Sequence, residues 1–132
     1  MGILDRFSLE NQIALITGGA GPLFGSSISE ALAEAGATVI VASRNIENNK
    51  RFVTKLNSFG FKAHPEEVDI IEPQSVNTLR KRVIKRFGHI DILVNSAVVG
   101  RTGGFDEQTP ESWVHSAQGN MVGLFALCKA FN

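Results

Sequence analysis

Short apolar segments alternate with longer amphipathic segments along the chain. Apolar segments cover residues 13–16, 38–42 and 90–94, and runs of this length between glycines and polar residues are typical of buried strands. Residues 61–68 indicate a weaker third strand, which is interrupted by Pro65. Because proline cannot donate a ladder hydrogen bond, this strand is expected at a sheet edge.

Amphipathic segments follow each of the predicted strands. Residues 26–36 are rich in Ala, Leu and Glu and end at a glycine, which is typical of a helix with its C-cap. The segments after Asn45 and from Pro73 place apolar side chains on one helical face, as core-facing helices do. These side chains are Phe52, Leu56 and Phe59 in the first and Val76, Leu79, Val83 and Phe87 in the second. Thr109 and Pro110 match the N-cap and first position of a long final helix.

The alternation of strands and helices predicts the fold class. A β-α repeat requires a parallel sheet with helices on both of its faces. We therefore expect an α/β fold, a Rossmann-type doubly wound sheet of about four strands in the order 3-2-1-4. Residues 1–132 are expected to form one domain, which is incomplete relative to a full fold of this type.

The final helix has almost no polar face. A helix that is apolar all round is buried on more than one side, so this one should pack on the sheet and also on another part of the chain or on a partner subunit. We expect a homo-oligomer through the helix after Thr109, with Cys128 as a small core residue. Its apolar residues are Met121, Val122, Leu124, Phe125, Leu127, Cys128, Ala130 and Phe131.

Composition excludes several function classes. Thirteen basic and thirteen acidic residues give no net charge, so neither nucleic acid nor a membrane surface is expected as a partner. The single cysteine rules out an internal disulfide and suits a reducing, cytoplasmic location. No segment has the length of a signal peptide or a membrane span. The spacing of His89 and His115 suits neither a metal site nor a catalytic triad.

A glycine-rich turn joins the first strand to the first helix. Residues 17–25 read TGGAGPLFG, close to G-x-G-x-x-G but with one extra residue, which we place within Pro22–Phe24. Backbone N–H groups at a helix N-terminus suit a pyrophosphate, although Pro22 removes one donor. The candidate cofactor-binding residues are Gly18, Gly19, Gly21 and Gly25; a glycine turn without a ligand is the alternative.

The end of the second strand carries Ser43 and Arg44. In a dinucleotide fold this position meets the adenosine ribose, and an acidic residue there favours NAD. A guanidinium suits the 2′-phosphate of NADP through charge-assisted hydrogen bonds. NADP is therefore the predicted cofactor, with NAD as the alternative, unless Arg44 is only an exposed loop residue.

Several motifs, in order along the whole chain, resemble those of the short-chain dehydrogenases/reductases. They are residues 17–25, residues 31–37, Val68-Asp69, residues 88–97, and Trp113 followed by Asn120. The opening residues 3–9 look like members that act on sugar acids. The resemblance implies hydride transfer between a nicotinamide cofactor and a small carbonyl or alcohol substrate.

The resemblance also implies roles for individual residues. Asp69 would hydrogen-bond the adenine, or else only cap the turn before Pro73. Asn95 and Ala97, in the motif after the fourth strand, would hold that strand and the cofactor. Asn120 would support a proton-relay water, or else only fill a helix kink.

The sequence departs from the family pattern at three places. Ser96 and Val98 stand where the family usually has Asn and Gly, and Val98 adds a side chain near the expected nicotinamide. The family's reaction uses a Ser, a Tyr as general acid/base and a Lys four residues later, and this chain has no tyrosine. We expect the chain alone to be inactive and marginally stable. Alternatives are a non-enzymatic nucleotide-binding or dimerising module and an inert remnant.

Overall fold

Four parallel strands form one sheet: β1 (Ile13–Thr17), β2 (Thr38–Ser43), β3 (Ala63–Glu67) and β4 (Ile92–Asn95). The computed structural model describes residues 1–100 and 103–132. The strand order is β3-β2-β1-β4, so the predicted α/β class and order 3-2-1-4 are confirmed. Pro65 lies in the edge strand β3, in register with Val41, as its missing N–H predicts.

The helices follow the predicted alternation. They are α1 (Gly25–Glu34), α2 (Ile46–Ser58), α3 (Pro73–Phe87), α4 (Pro110–Ala117), a π-helical segment (Gln118–Gly123) and α5 (Leu124–Ala130). Single 3₁₀ turns cover Leu4–Phe7 and Phe105–Glu107. The final helix is thus a continuous run that changes its hydrogen-bond pattern midway.

Alternate side chains of the strands point to opposite faces of the sheet. On one face Leu15 and Ile40 pack with Leu79 of α3 and Leu127 of α5. On the other face Ile16, Val39 and Val41 pack with Ala33 and with Val53 and Leu56 of the helical layer α1–α2. Both faces are covered by helices, which is why the two central strands β1 and β2 are mostly apolar rather than alternating with polar residues.

Two expectations about buried side chains are wrong. Phe59 is 65% exposed, because α2 ends one residue earlier and the ring turns to Phe61, 6.4 Å away between centroids; Val53 fills the core instead. Cys128 is exposed, because α5 directs the neighbouring Leu127 into the sheet. One helix residue spans about 100° of rotation, so Cys128 faces outward.

Candidate functional site

A cleft of about 280 Å³ opens at the carboxyl ends of the strands. Its walls come from the loops that follow β1, β2, β3 and β4. Because β2 and β4 lie on opposite sides of β1, the cleft lies at the point where the strand order reverses, the usual ligand position in such sheets. It brings together seven of the ten predicted site residues: Gly18, Gly21, Gly25, Ser43, Arg44, Asp69 and Ala97.

The turn after β1 depends on Gly18. Its φ is +66°, a left-handed conformation that glycine adopts without strain. Its N–H donates to the carbonyl of Ala42 at 2.7 Å, and a Cβ here would lie 3.0 Å from Cα of Ala97. The backbone at Gly18 is therefore held between β2 and the segment after β4.

Helix α1 begins at Gly25, directly against the turn. A Cβ on Gly25 would overlap the carbonyl oxygen of Gly18. The turn is closed by two further bonds, from the N–H of Gly21 to the Gly18 carbonyl at 2.9 Å and from the N–H of Ser26 to the Gly21 carbonyl at 3.0 Å. The cradle thus places the N-terminus of α1 at the cleft, where unpaired N–H groups favour anions.

The extra residue of the turn lies at the rim of the cleft. Leu23 and Phe24 are 80% and 71% exposed and both line the cleft together with Pro22. The insertion therefore bulges outward between Gly21 and Gly25, and the close contacts of the two flanking glycines are kept.

Gly19 packs behind the turn rather than lining the cleft. The buried Ser29 of α1 donates its hydroxyl to the Gly19 carbonyl at 2.9 Å, and a Cβ on Gly19 would lie 2.9 Å from that hydroxyl oxygen. Ser29 was not singled out from the sequence. The available signal was a small polar residue on the apolar side of an otherwise regular helix.

The loop after β2 presents Arg44 to the cleft. Arg44 is exposed and also lines an adjoining polar recess of about 390 Å³, together with Asp69 and Arg82. Arg82 forms an ion pair with Glu66, and its Nε lies 2.7 Å from Oε2 of that residue. Within residues 1–100 and 103–132, Arg44 takes part in no ion pair, so its guanidinium is available to an anion.

The Ser43 hydroxyl is committed within the protein. It donates to Oδ1 of Asn49 at 2.7 Å. Asn49 is completely buried and was not predicted as part of the site, because a polar residue between the apolar positions of an amphipathic helix normally faces solvent.

Asp69 caps the turn before Pro73 and also lines the cleft. Its Oδ1 accepts from the N–H of Ile71 at 3.0 Å, and its own N–H donates to the Ser75 hydroxyl at 2.9 Å. The two sequence interpretations of Asp69 are therefore compatible, since only one carboxylate oxygen is used by the turn.

The segment after β4 lines the cleft beside the glycine turn. The Ala97 N–H donates to Oγ1 of the buried Thr17 at 3.3 Å. Ser96 lines the cleft, and its buried hydroxyl has no hydrogen-bond partner among the described residues. Val98 also lines the cleft and is 75% exposed.

Asn95 and Asn120 lie away from the main cleft. They line a separate cavity of about 60 Å³ beneath α5, and Nδ2 of Asn95 donates to Sγ of Cys128 at 3.7 Å. The Asn120 side chain accepts from the Val99 N–H at 2.8 Å and donates to the Val99 carbonyl at 2.6 Å. Asn120 thus ties the π-helical segment to the wall of the cleft.

The same segment approaches the cleft wall through two glycines. A Cβ on Gly119 would overlap the Val99 side chain, and one on Gly123 would lie 2.6 Å from the Ile70 carbonyl oxygen. Single π-helical turns within α-helices often lie at functional sites. Here the turn places Asn120 against Val99.

The described residues contain neither a membrane-spanning helix nor a metal-binding cluster. Over the two described ranges, no helix combines the length and the apolar character needed to cross a bilayer. Among the same residues, no group of three His, Cys, Asp or Glu side chains is placed to hold a metal ion. Among the described residues, the cleft thus combines a backbone cradle with the guanidinium of Arg44 and the carboxylate of Asp69.

The fold and the cradle agree with comparisons to known proteins. The family model described as short chain dehydrogenase matches residues 12–132, and the chain belongs to this family, the short-chain dehydrogenases/reductases. D-threitol dehydrogenase of Mycolicibacterium smegmatis is 32% identical over 124 residues, which are 94% of this chain and 47% of that protein.

Two solved structures of oxidoreductases share the fold of this chain. Gluconate 5-dehydrogenase from Burkholderia cenocepacia, in complex with NADP and tartrate, is 33% identical, with a TM-score of 0.89 over 98% of this chain and 51% of its own. A short-chain type dehydrogenase/reductase from Mycobacterium marinum is 30% identical, with a TM-score of 0.89 over 98% and 52%. The chain therefore spans about half the length of these oxidoreductases.

Proposed function

We propose that the cleft binds a nicotinamide dinucleotide and that NADP is preferred over NAD. The observation that carries this proposal is the cradle at the start of α1. A Cβ on Gly18 would crowd the backbone of Ala97, and one on Gly25 would overlap the Gly18 carbonyl oxygen. The Ser96 hydroxyl in the wall, which has no hydrogen-bond partner within residues 1–100 and 103–132, also suits a polar ligand. The NADP complex of the gluconate 5-dehydrogenase relative supports the same cofactor.

Each residue of the cleft has a role in this proposal. Gly18, Gly21 and Gly25 let the pyrophosphate approach the N-terminus of α1. Arg44 pairs with the 2′-phosphate. Asp69 accepts from the adenine through the oxygen that the turn does not use. Ala97 forms the wall beside Gly18, while Gly19, Ser43, Asn95 and Asn120 hold the surrounding backbone.

When bound, the nicotinamide supplies a hydride donor or acceptor. Reduction of a carbonyl also needs a proton donor, and the family resemblance assigns that role to a tyrosine. This sequence contains no tyrosine. We therefore propose that the 132 residues bind cofactor without turnover, as the cofactor-binding part of an oxidoreductase for a carbonyl or alcohol substrate. Relatives named for D-threitol and gluconate favour a polyol or sugar acid as that substrate.

Titration of the purified chain with NADPH and NADH, followed by nicotinamide fluorescence, tests the cofactor proposal. The variant Arg44→Asp should weaken NADPH binding about tenfold or more, because a charge-assisted pair is replaced by a repulsion. NADH binding should change little. Lys81→Asp, which makes the same charge change at an exposed position on α3 outside the cleft, is the matched control.

Two results would contradict the proposal. If the wild-type chain binds neither cofactor, the cleft is not a dinucleotide site. If Arg44→Asp weakens both cofactors equally, Arg44 does not read the 2′-phosphate.

A second candidate function is self-association. The final helical run exposes several large apolar side chains, and exposed apolar surface of this kind marks protein interfaces. These are Trp113, Val114, Met121 and Phe125, named here the apolar outer face. We propose that a second copy of the chain, or a longer homologous chain, covers this face in a homo-oligomer.

A further inference from the structure

Asn49 is a fully buried polar residue beside the proposed phosphate site. It lies in the first turns of α2, and none of its surface is exposed. Burial of an amide is unfavourable unless its hydrogen bonds are made inside the protein. The other buried positions of α2, Val53 and Leu56, are apolar. An apolar side chain at position 49 would therefore pack against the sheet without needing hydrogen bonds.

Asn49 makes its hydrogen bonds to the ends of two adjacent strands. Its Oδ1 accepts from the Ser43 hydroxyl at 2.7 Å, and its Nδ2 donates to the Glu66 carbonyl at 2.8 Å, with a longer contact of 3.5 Å to the Ser43 carbonyl. The last register pair of β2 and β3 is Ser43 with Glu67. Asn49 therefore joins the two strands where their ladder ends.

Beyond this point the two strands lead directly into the site. Arg44 follows Ser43, and Asp69 comes two residues after Glu67. The end of β2 is also anchored by the bond from the Val68 N–H to the Ser43 carbonyl at 3.1 Å, and the loop after it by the Asn45 cap on the Asn48 N–H at 3.0 Å. A fixed Ser43 limits where the next Cα lies, and so limits the positions that the Arg44 guanidinium can reach.

We propose that Asn49 is a positioning residue for cofactor selectivity: it fixes the carboxyl ends of β2 and β3 so that Arg44 faces the 2′-phosphate. This inference rests on the proposed binding of NADP. It assigns no contact between Asn49 and the cofactor. Because the Asn49 side chain acts through Arg44, removing the Asn49 side chain should weaken NADPH binding more than NADH binding.

The same helix offers a matched control. Asn57 also uses both ends of its side-chain amide on the β3 backbone, accepting from the Ala63 N–H at 3.0 Å and donating to the Ala63 carbonyl at 3.3 Å. Ala63 is the first residue of β3, so this contact lies at the opposite end of the sheet from the cleft. Asn57→Leu removes a strand contact of the same kind far from Arg44.

The experiment measures the ratio of the NADH dissociation constant to the NADPH dissociation constant. We expect Asn49→Leu to lower this ratio about fivefold, the effect of losing one well-formed hydrogen bond. Asn57→Leu should leave the ratio as in the wild type, although it also weakens a strand contact. In the Arg44→Ala background, adding Asn49→Leu should change the ratio no further.

Amide hydrogen exchange of the cofactor-free chain gives an independent readout. Exchange near residues 43–45 and 67–68 should accelerate in Asn49→Leu, and exchange near Ala63 should accelerate in Asn57→Leu. If Asn49→Leu does not fold, Asn49→Ser carries the same expectations, because it also removes the bond to the Glu66 carbonyl with less strain.

The outcomes separate this inference from the proposed function. A wild-type chain that binds neither cofactor overturns both. A wild-type chain that prefers NADPH, together with an unchanged ratio in the Asn49 variants, overturns the positioning role alone. A further fall of the ratio in the double variant also overturns it, since Asn49 would then act independently of Arg44.

Discussion

At Gly25 the lack of a side chain is a steric requirement. The Cα of this residue faces the Gly18 carbonyl so closely that any Cβ would overlap it. The contact joins the first turn of α1 to the turn after β1, and both lie at the cleft. Because residue 25 has a hydrogen atom in place of a Cβ, the N-terminus of α1 can pack directly against the turn after β1.

Gly25→Ala should therefore destabilise the chain and weaken cofactor binding together. We expect a loss of about 1–3 kcal/mol in the free energy of unfolding, the usual cost of forcing extra volume into a packed site, with weaker NADPH binding because α1 must move away. Urea unfolding and NADPH titration measure the two effects. Gly104→Ala, where φ is −66° and a Cβ would meet no atom within 4 Å, is the control. Equal stability of the two variants would contradict this account.

At the scale of elements, β3 shows how an edge strand is held. Among the described residues it pairs with β2 alone, and it carries Pro65; side-chain contacts add to its attachment. Glu66 pairs with Arg82 of α3, and the His64 ring lies edge-on to Phe87, 5.1 Å between centroids. Burial lowers the pKa of His64 below its ordinary value of 6.5, Arg86 lowers it further, and Glu66 partly opposes both.

This depressed pKa gives a pH dependence with a definite sign. Between the lowered pKa and 6.5 the unfolded chain binds more protons at His64 than the folded chain does, so stability falls as the pH falls through this window. One proton limits the slope to about 1.4 kcal/mol per pH unit. His64→Phe, which keeps the aromatic contact, should flatten the slope in unfolding experiments at a series of pH values.

The control removes a histidine from an exposed position in α4. His115→Gln should retain the wild-type slope, whereas a slope that is unchanged in His64→Phe would show that another group causes it.

At the scale of the whole molecule, the two edges of the sheet differ in how well they are protected. Beyond β3 the sheet ends in an edge protected by proline and an ion pair, whereas β4 pairs only with β1 over the described residues. The apolar outer face lies on the same half of the molecule as β4, since α5 packs under that strand. Exposed strand edges and apolar faces are both sites of association.

The double variant Met121→Glu/Phe125→Glu should convert associated chain to monomer. The two side chains are 69% and 66% exposed, so the charges are well solvated in the monomer and repel across an interface. Light scattering coupled to gel filtration measures the mass. Phe59→Glu, a similar change on an exposed ring at the end of α2, should leave the association unchanged. A monomeric wild-type chain would contradict the self-association proposal.

The sequence determined the fold class because the pattern was locally consistent. Each apolar segment was bounded by glycine, proline or a helix cap, and the order of the segments admits few topologies. The same pattern located the edge strand through Pro65 and the strand-to-helix turn through its glycines. For the site, it supplied the residues whose chemistry is local: the turn glycines, Arg44 and Asp69.

Only the tertiary structure decided which side chains meet. Asn49 looks like a surface residue of an amphipathic helix, and the hydrogen bonds that allow Asn49 and Ser29 to be buried come from strand ends and a turn that are distant in sequence. Asn120 was found from its motif, but its two bonds to Val99 join segments 21 residues apart. The exposure of Cys128 likewise follows from the rotation of α5 on the sheet. Periodicity specifies which residues share a face, whereas packing specifies what that face contacts.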